Sequence, residues 1–214
     1  MKTLTILAAS FVGLMSLNSV AATVDGSITY SEYQWNTEGV EGSAKWEHMV
    51  VVAMNITMKV VGDKYEIDFL GTNITDGKFQ FGAIGGDILS GRQAAVSGVG
   101  NSRQGLFLSD FAISVNNASA NPTTDSSAFG YAIRLLSVDD NSGLAQFELL
   151  GGGTWEAINI YEDTYAPKFK SETYKMGSDA VSITTFVGKW AANGGDDNVL
   201  EGEFDLSFLN LRSV

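Results

Sequence analysis

The stretch that decides the fold runs from Met49 to Leu70, MVVVAMNITMKVVGDKYEIDFL. Val50, Val52, Met54, Ile56, Met58 and Val60 fall on one face, with Asn55, Thr57 and Lys59 on the other. A period of two is the mark of a β-strand with one face on a core. Gly62-Asp63 offers a tight reversal. The return strand then alternates Tyr65, Ile67 and Phe69 with Lys64, Glu66 and Asp68. Asp76-Gly77 turns the chain again, and Phe79 and Phe81 alternate with Lys78 and Gln80. This pattern predicts an antiparallel meander.

The rest of the chain reads the same way. Leu106 to Val115, Tyr131 to Val138, Leu144 to Leu150, Trp155 to Tyr161, Val181 to Trp190 and Val199 to Leu211 are further strand-like segments. Asp139-Asp140-Asn141-Ser142-Gly143 and Gly151-Gly152-Gly153 are expected to close two hairpins. No internal repeat and no linker divides the chain. The expectation is all-β: a single antiparallel β-sandwich, jelly-roll-like, of about nine or ten strands. Gly85 to Gly105 reads as a long glycine-rich loop; it lacks the Lys-Ser/Thr ending of a phosphate-binding loop.

Residues 1–22 read as a secretory signal peptide. Lys2 opens it, an apolar stretch through Leu17 follows, and Ser19-Val20-Ala21 and Val20-Ala21-Ala22 both place small residues before a cleavage point. The stretch is too short to span a bilayer as a helix. Residues 23–214 then form the β-sandwich domain, which is expected to be secreted or held at the cell surface. Removing Lys2 leaves 12 basic against 25 acidic residues, a net charge of −13. Such a balance supplies no basic footprint for nucleic acid. Cysteine is absent, so disulfides, thiolate zinc sites and cysteine nucleophiles are excluded, and the core alone must hold the fold. Asn55, Asn73 and Asn117 each head an N-x-S/T triplet, read as chance matches in β-rich sequence.

Four groups of residues bear on function. The single histidine, His48, has no G-x-S-x-G serine to serve. Glu201, Glu203 and Asp205 recur at spacing two and so share one face of the last strand, with neighbours about 7 Å apart, a separation at which glycosidase carboxylates operate. Asp139, Asp140 and Asn141, and likewise Asp196, Asp197 and Asn198, collect hard oxygen ligands of the kind calcium takes; Asp and Asn are also ordinary turn residues. Tyr33, Trp35, Trp46, Trp155 and Trp190 fall near strand ends, where an exposed ring stacks on sugar.

Asp25-Gly26-Ser27-Ile28-Thr29-Tyr30-Ser31-Glu32-Tyr33, followed by Trp35 and Trp46, resembles the opening of secreted bacterial β-sandwich domains related to family 9 carbohydrate-binding modules. The 131–161 and 194–211 stretches resemble exported surface proteins that carry a sorting tail. The resemblance implies glycan or surface association and transfers no ligand residue. The leading expectation is a non-enzymatic β-sandwich that binds extracellular polysaccharide or joins other surface proteins in a matrix, with calcium as its cofactor if it has one. Three alternatives stay open: a self-assembling structural surface protein, a glycan hydrolase using the Glu201/Glu203/Asp205 face, and a small outer-membrane β-barrel.

Overall fold

The computed structural model describes residues 22–29, 31–35, 46–52, 56–62, 67–91, 108–116, 126–162, 170–192 and 198–210. They form strands almost throughout: β1 (Gln34–Trp35), β2 (Trp46–Val52), β3 (Ile56–Gly62), β4 (Ile67–Thr75), β5 (Lys78–Gly85), β6 (Phe111–Ser114), β7 (Tyr131–Asp139), β8 (Leu144–Gly151), β9 (Trp155–Glu162), β10 (Lys170–Met176), β11 (Val181–Ala192) and β12 (Asn198–Asp205). Ten of them make one sheet in the order β1-β4-β5-β12-β11-β8-β7-β6-β3-β2; β9 and β10 make a second. Every pairing is antiparallel. The all-β antiparallel expectation holds. Among the described residues no helix is long and apolar enough to cross a membrane.

The large sheet curls over on itself. Phe81 on β5 and Phe111 on β6 are separated in the sheet by β12, β11, β8 and β7, which in a flat sheet would put them about 24 Å apart. Their ring centroids are 5.5 Å apart. At the far end β2 runs next to β4, so the two ends of the sheet meet. Both walls of the core therefore come from one continuous sheet. Its centre is a group of phenylalanines, with Phe81 edge-on to Phe147 at 5.3 Å and Phe186 stacked on Phe147 at 5.1 Å.

Some local readings are met and others corrected. Asp76 (φ 52°) and Gly77 (φ 75°) make a two-residue turn of the primed kind between Thr75 and Lys78. Phe79 and Phe81 are buried, as their alternation predicts. The Met49–Val60 run, however, is not one strand: β2 and β3 pair with each other, Val52 opposite Ile56 and Val50 opposite Met58. Nor do β3 and β4 form a hairpin around Gly62-Asp63, because β3 pairs with β2 and β6 while β4 pairs with β1 and β5. Thr57 and Lys59, placed on the polar face, are buried, since β10 packs across β3. A bulge at Asp68 turns Phe69 away from the face of Ile67: Ile67 joins the main core, whereas Phe69 packs with Tyr33 and Ala22. Gly151–Gly153 closes no hairpin; it carries the chain from β8 in the large sheet to β9 in the small one. Asn73 is buried, which agrees with reading its triplet as a chance match.

Candidate functional site

The acidic face of β12 lies beside β5, with Glu201 opposite Gly82, Glu203 opposite Gln80 and Asp205 opposite Lys78. The three carboxylates share a face, as their spacing requires, but their surroundings differ. Residues 22–29 and 31–33 cross this face as a strap. Gly82 and Gly71 give the strap its room: a Cβ on Gly82 would stand 2.7 Å from Ile28 Cδ1, and one on Gly71 2.6 Å from Tyr33 Cβ. Beneath the strap Glu201 is fully buried. Tyr33 Oη donates to Glu201 Oε1 at 2.6 Å and Gly26 N donates to Oε2 at 2.6 Å. Glu203 is half-buried; Gln80 Nε2 donates to its Oε2 at 3.1 Å and to the Ala22 carbonyl at 2.8 Å. Asp205 is exposed and caps the turn Leu206–Leu209, its Oδ1 accepting from Ser207 N at 2.9 Å. Both oxygens of Glu201 are occupied under the strap, so this carboxyl is closed to a substrate as folded, whereas Glu203 and Asp205 keep access to solvent.

Burial pushes the Glu201 carboxyl above the usual carboxylate range; the Tyr33 and Gly26 hydrogen bonds oppose this, and the nearby Asp25 charge adds to it. The Tyr33 hydroxyl is likewise raised, first by burial and then by its bond to Glu201. A folded pKa above the unfolded one means that the native state holds the proton more tightly. The stability so contributed is complete below the unfolded carboxylate value, about 4.3, and is lost as pH rises through the folded value. Glu201→Gln removes this dependence. Between the unfolded value and the raised folded value the difference in melting temperature, wild type minus E201Q, is expected to fall as pH rises, and above the folded value to level off; a difference that stays level from pH 4 to 8 would contradict it.

The aromatic candidates do not assemble into an open platform among the described residues. Tyr33 is buried under its own strap. Trp155 is buried, its Nε1 donating to the Phe129 carbonyl at 2.9 Å. Trp190 is buried, its Nε1 donating to Asp140 Oδ1 at 2.9 Å. None of these three rings offers a face to a sugar, because each fills the interior next to the sheet. Trp35 and Trp46 fall in β1 and β2, and their side chains lie outside the described residues.

The Asp139–Asn141 turn is similarly engaged. Asp139 accepts from Asn141 N at 2.9 Å and from Ser142 Oγ at 2.7 Å, and these bonds hold its carboxyl below the usual range. Asp140 is tied to Trp190. Asn198 is buried at the start of β12; Asp196 and Asp197 lie outside the described residues. Among the described residues no three acidic or histidine side chains converge as metal ligands. His48 is in β2, its side chain also outside the described part.

A concave site forms elsewhere, where β10 lies against the start of β6 and the middle of β7. The cavity measures about 330 Å³. Ser90, Ser109, Asp110, Ser137 and Lys175 supply its polar groups, and Leu108, Leu135 and Leu136 its apolar wall. Its frame is a buried ion pair. Asp110 Oδ2 accepts from Arg134 Nη2 at 2.7 Å and from Met176 N at 3.0 Å, and Oδ1 accepts from Arg134 Nε at 3.1 Å. Arg134 Nη2 also donates to the Met176 carbonyl. Asp110 N donates to the Tyr174 carbonyl at 3.0 Å, and Tyr174 N to Ser109 Oγ at 3.0 Å. Burial pushes the Asp110 carboxyl upward while Arg134 and the Met176 amide hold it down; burial works against the Arg134 charge, and Asp110 more than restores it. No protein-family model, curated protein or solved structure matches the chain.

Neither the cavity nor its frame stands out in the sequence. A signal was present nonetheless: Asp110 and Arg134 are single charges inside otherwise apolar stretches, LSDFAI and YAIRLL. A charge at such a position requires a partner once buried.

Proposed function

We propose that the protein is an exported, non-catalytic β-protein that binds a saccharide unit of extracellular glycan in the cavity beside β10. The observation that carries this reading is the lining: three serines, one lysine and the Asp110 carboxylate above a leucine wall. Hydroxyls both donate and accept, and a lysine donates, which matches a polyhydroxylated ligand. The volume falls in the range of small-ligand pockets, about 300–1,000 Å³. The motif Asp25–Tyr33, for all its resemblance to carbohydrate-binding openings, is used in the strap; the glycan contact is assigned to the cavity instead. An inward-facing phenylalanine core, with Gln146, Thr185 and Val187 exposed on neighbouring strands, favours a water-facing sheet over a lipid-facing barrel, whose interior would be polar.

A polysaccharide array probed with and without calcium tests the reading, with Lys175→Ala as its internal control. Binding to at least one glycan is expected, weakened about tenfold or more by K175A, with the melting temperature nearly unchanged. Silence across the array sinks the proposal; binding that K175A leaves intact moves the site elsewhere.

A second reading, self-association as a structural surface protein, draws on a separate feature. Leu136 is 48% exposed and Val187 55% exposed, on the neighbouring outer faces of β7 and β11 across Gln146 of β8. Concentration-dependent sedimentation, abolished by Val187→Lys, distinguishes this from glycan binding.

A further inference from the structure

We propose that the leader is removed at the Ala21–Ala22 bond, which makes Ala22 the amino-terminal residue of the working protein. The inference rests on the export part of the reading above and adds to it a defined processing site.

Two bonds satisfy the small-residue rule in the sequence, one after Ala21 and one after Ala22. The first places Ser19 and Ala21 at the two recognition positions; the second places a branched Val20 where a small residue is preferred. The structure separates them more sharply. Ala22 is 5% exposed and packs with Tyr33 and Phe69 on the outer side of β4. Its carbonyl accepts from Gln80 Nε2 at 2.8 Å. Gln80 is itself buried, and the same nitrogen donates to Glu203. Ala22 is thus the first anchor of the strap that covers Glu201. A cut after Ala22 discards that anchor with the leader: the methyl leaves its contact with Tyr33 and Phe69, and Gln80 loses one of its two acceptors. A cut after Ala21 keeps both.

The chemistry is an amide hydrolysis by a leader peptidase, with water as the co-reactant. The Ala21 C–N bond breaks, the water oxygen goes to the Ala21 carbonyl carbon, and the Ala22 nitrogen takes up protons to become an α-ammonium. The peptidase meets an unfolded chain, so the fold does not direct the cut. Rather, only one of the two cuts leaves a residue that the folded strap uses. The new positive charge then belongs to the residue whose carbonyl shares a donor with Glu203.

Amino-terminal sequencing and intact mass of the full chain after export test the assignment. The expected first residue is Ala22. A chain beginning at Thr23, or anywhere else, overturns it while leaving export standing; a chain kept inside the cell with its leader attached overturns the export reading as well. A second measurement asks whether the anchor matters. Proteins produced from Ala22 and from Thr23 are melted side by side, and the shorter form is expected to melt about 2–6 °C lower. Equal melting removes the structural reason for the assignment.

Discussion

Alanine in place of Gly188 is expected to keep the chain from accumulating as folded protein. Gly188 sits where β11 and β12 part. Their ladder runs from Ala192–Asn198 to Lys189–Glu201, after which β12 continues beside β5 and β11 beside β8. The divergence lets Phe186 turn inward against Phe147 and Phe204, at 5.1 and 5.4 Å. A Cβ on Gly188 would lie 2.0 Å from the Glu201 carbonyl oxygen and 2.8 Å from the Phe147 ring. The nearest of these atoms is backbone, so no rotamer change relieves the overlap. Moving β12 away would also displace Glu201 from Tyr33 and Gly26. The cost is expected to exceed about 4 kcal/mol, a large part of the roughly 5–15 kcal/mol that holds a domain together. Gly77→Ala is the control: φ is +75° but nothing stands within 4 Å, so the loss is only about 1–2 kcal/mol. Soluble yield and thermal denaturation of both variants check the pair, and a G188A protein that melts like wild type refutes the close approach.

The hairpin of β2 and β3 shows why the strand content was legible in the sequence and part of the topology was not. The β2–β3 pairing sets Val52 against Ile56 and Val50 against Met58. Directly opposed residues share a face, so the even-numbered apolar residues stay aligned on both sides of the turn. One long strand and a hairpin therefore write the same pattern, and Ala53-Met54-Asn55 carries no glycine or proline to break it. Where the turn chemistry is strong, as at Asp76-Gly77, the hairpin is readable. The bulge at Asp68 is silent for a similar reason, since one extra residue changes the face without changing the composition.

The site was harder to see. Spacing placed Glu201, Glu203 and Asp205 on one face, but nothing local says that the strap carrying Gly26 and Tyr33, nearly the whole chain away, covers the first of them. Glycine at 71 and 82 was the available clue, because a glycine inside a strand often marks the close approach of another segment. Composition could not reveal the tryptophans' positions either. An indole filling the interior beside a sheet and one stacking on a sugar have the same sequence signature, and only the partners of Nε1 tell them apart.

Removing the Asp110 carboxylate is expected to cost about 3–5 kcal/mol, the penalty for leaving one member of a buried pair alone. Asp110 is 1% exposed at its side chain and Arg134 25%. Asp110→Ala strands the guanidinium and the Met176 amide together, and both lie at the seam between the large sheet and the β9–β10 pair. The β9–β10 pair is also held by the Trp155–Phe129 hydrogen bond and by β10 packing across β3. Its apolar seat is the small cluster of Ala112, Phe129, Ala132, Leu150, Trp155, Tyr174 and Met176, while the hydrogen bonds of Ser109 and Asp110 to Tyr174 and Met176 treat the approach to β6 as a short third strand. Loss should therefore be uneven. Amides of β10 are expected to exchange faster in D110A, whereas those of β5 and β12 stay protected to the global limit. The saccharide binding proposed above is expected to vanish in the same variant, because Ser109 and Lys175 reach the cavity from the two sides of this seam. Arg134→Lys is no rescue, since an ammonium lacks the two-pronged contact. The double substitution Asp110→Leu with Arg134→Met, which removes both charges and keeps apolar volume, is expected to regain most of the stability but none of the binding. If D110A unfolds at the wild-type denaturant concentration with β10 still protected, the ion pair does not hold the seam, and the cavity owes its shape to the apolar cluster alone.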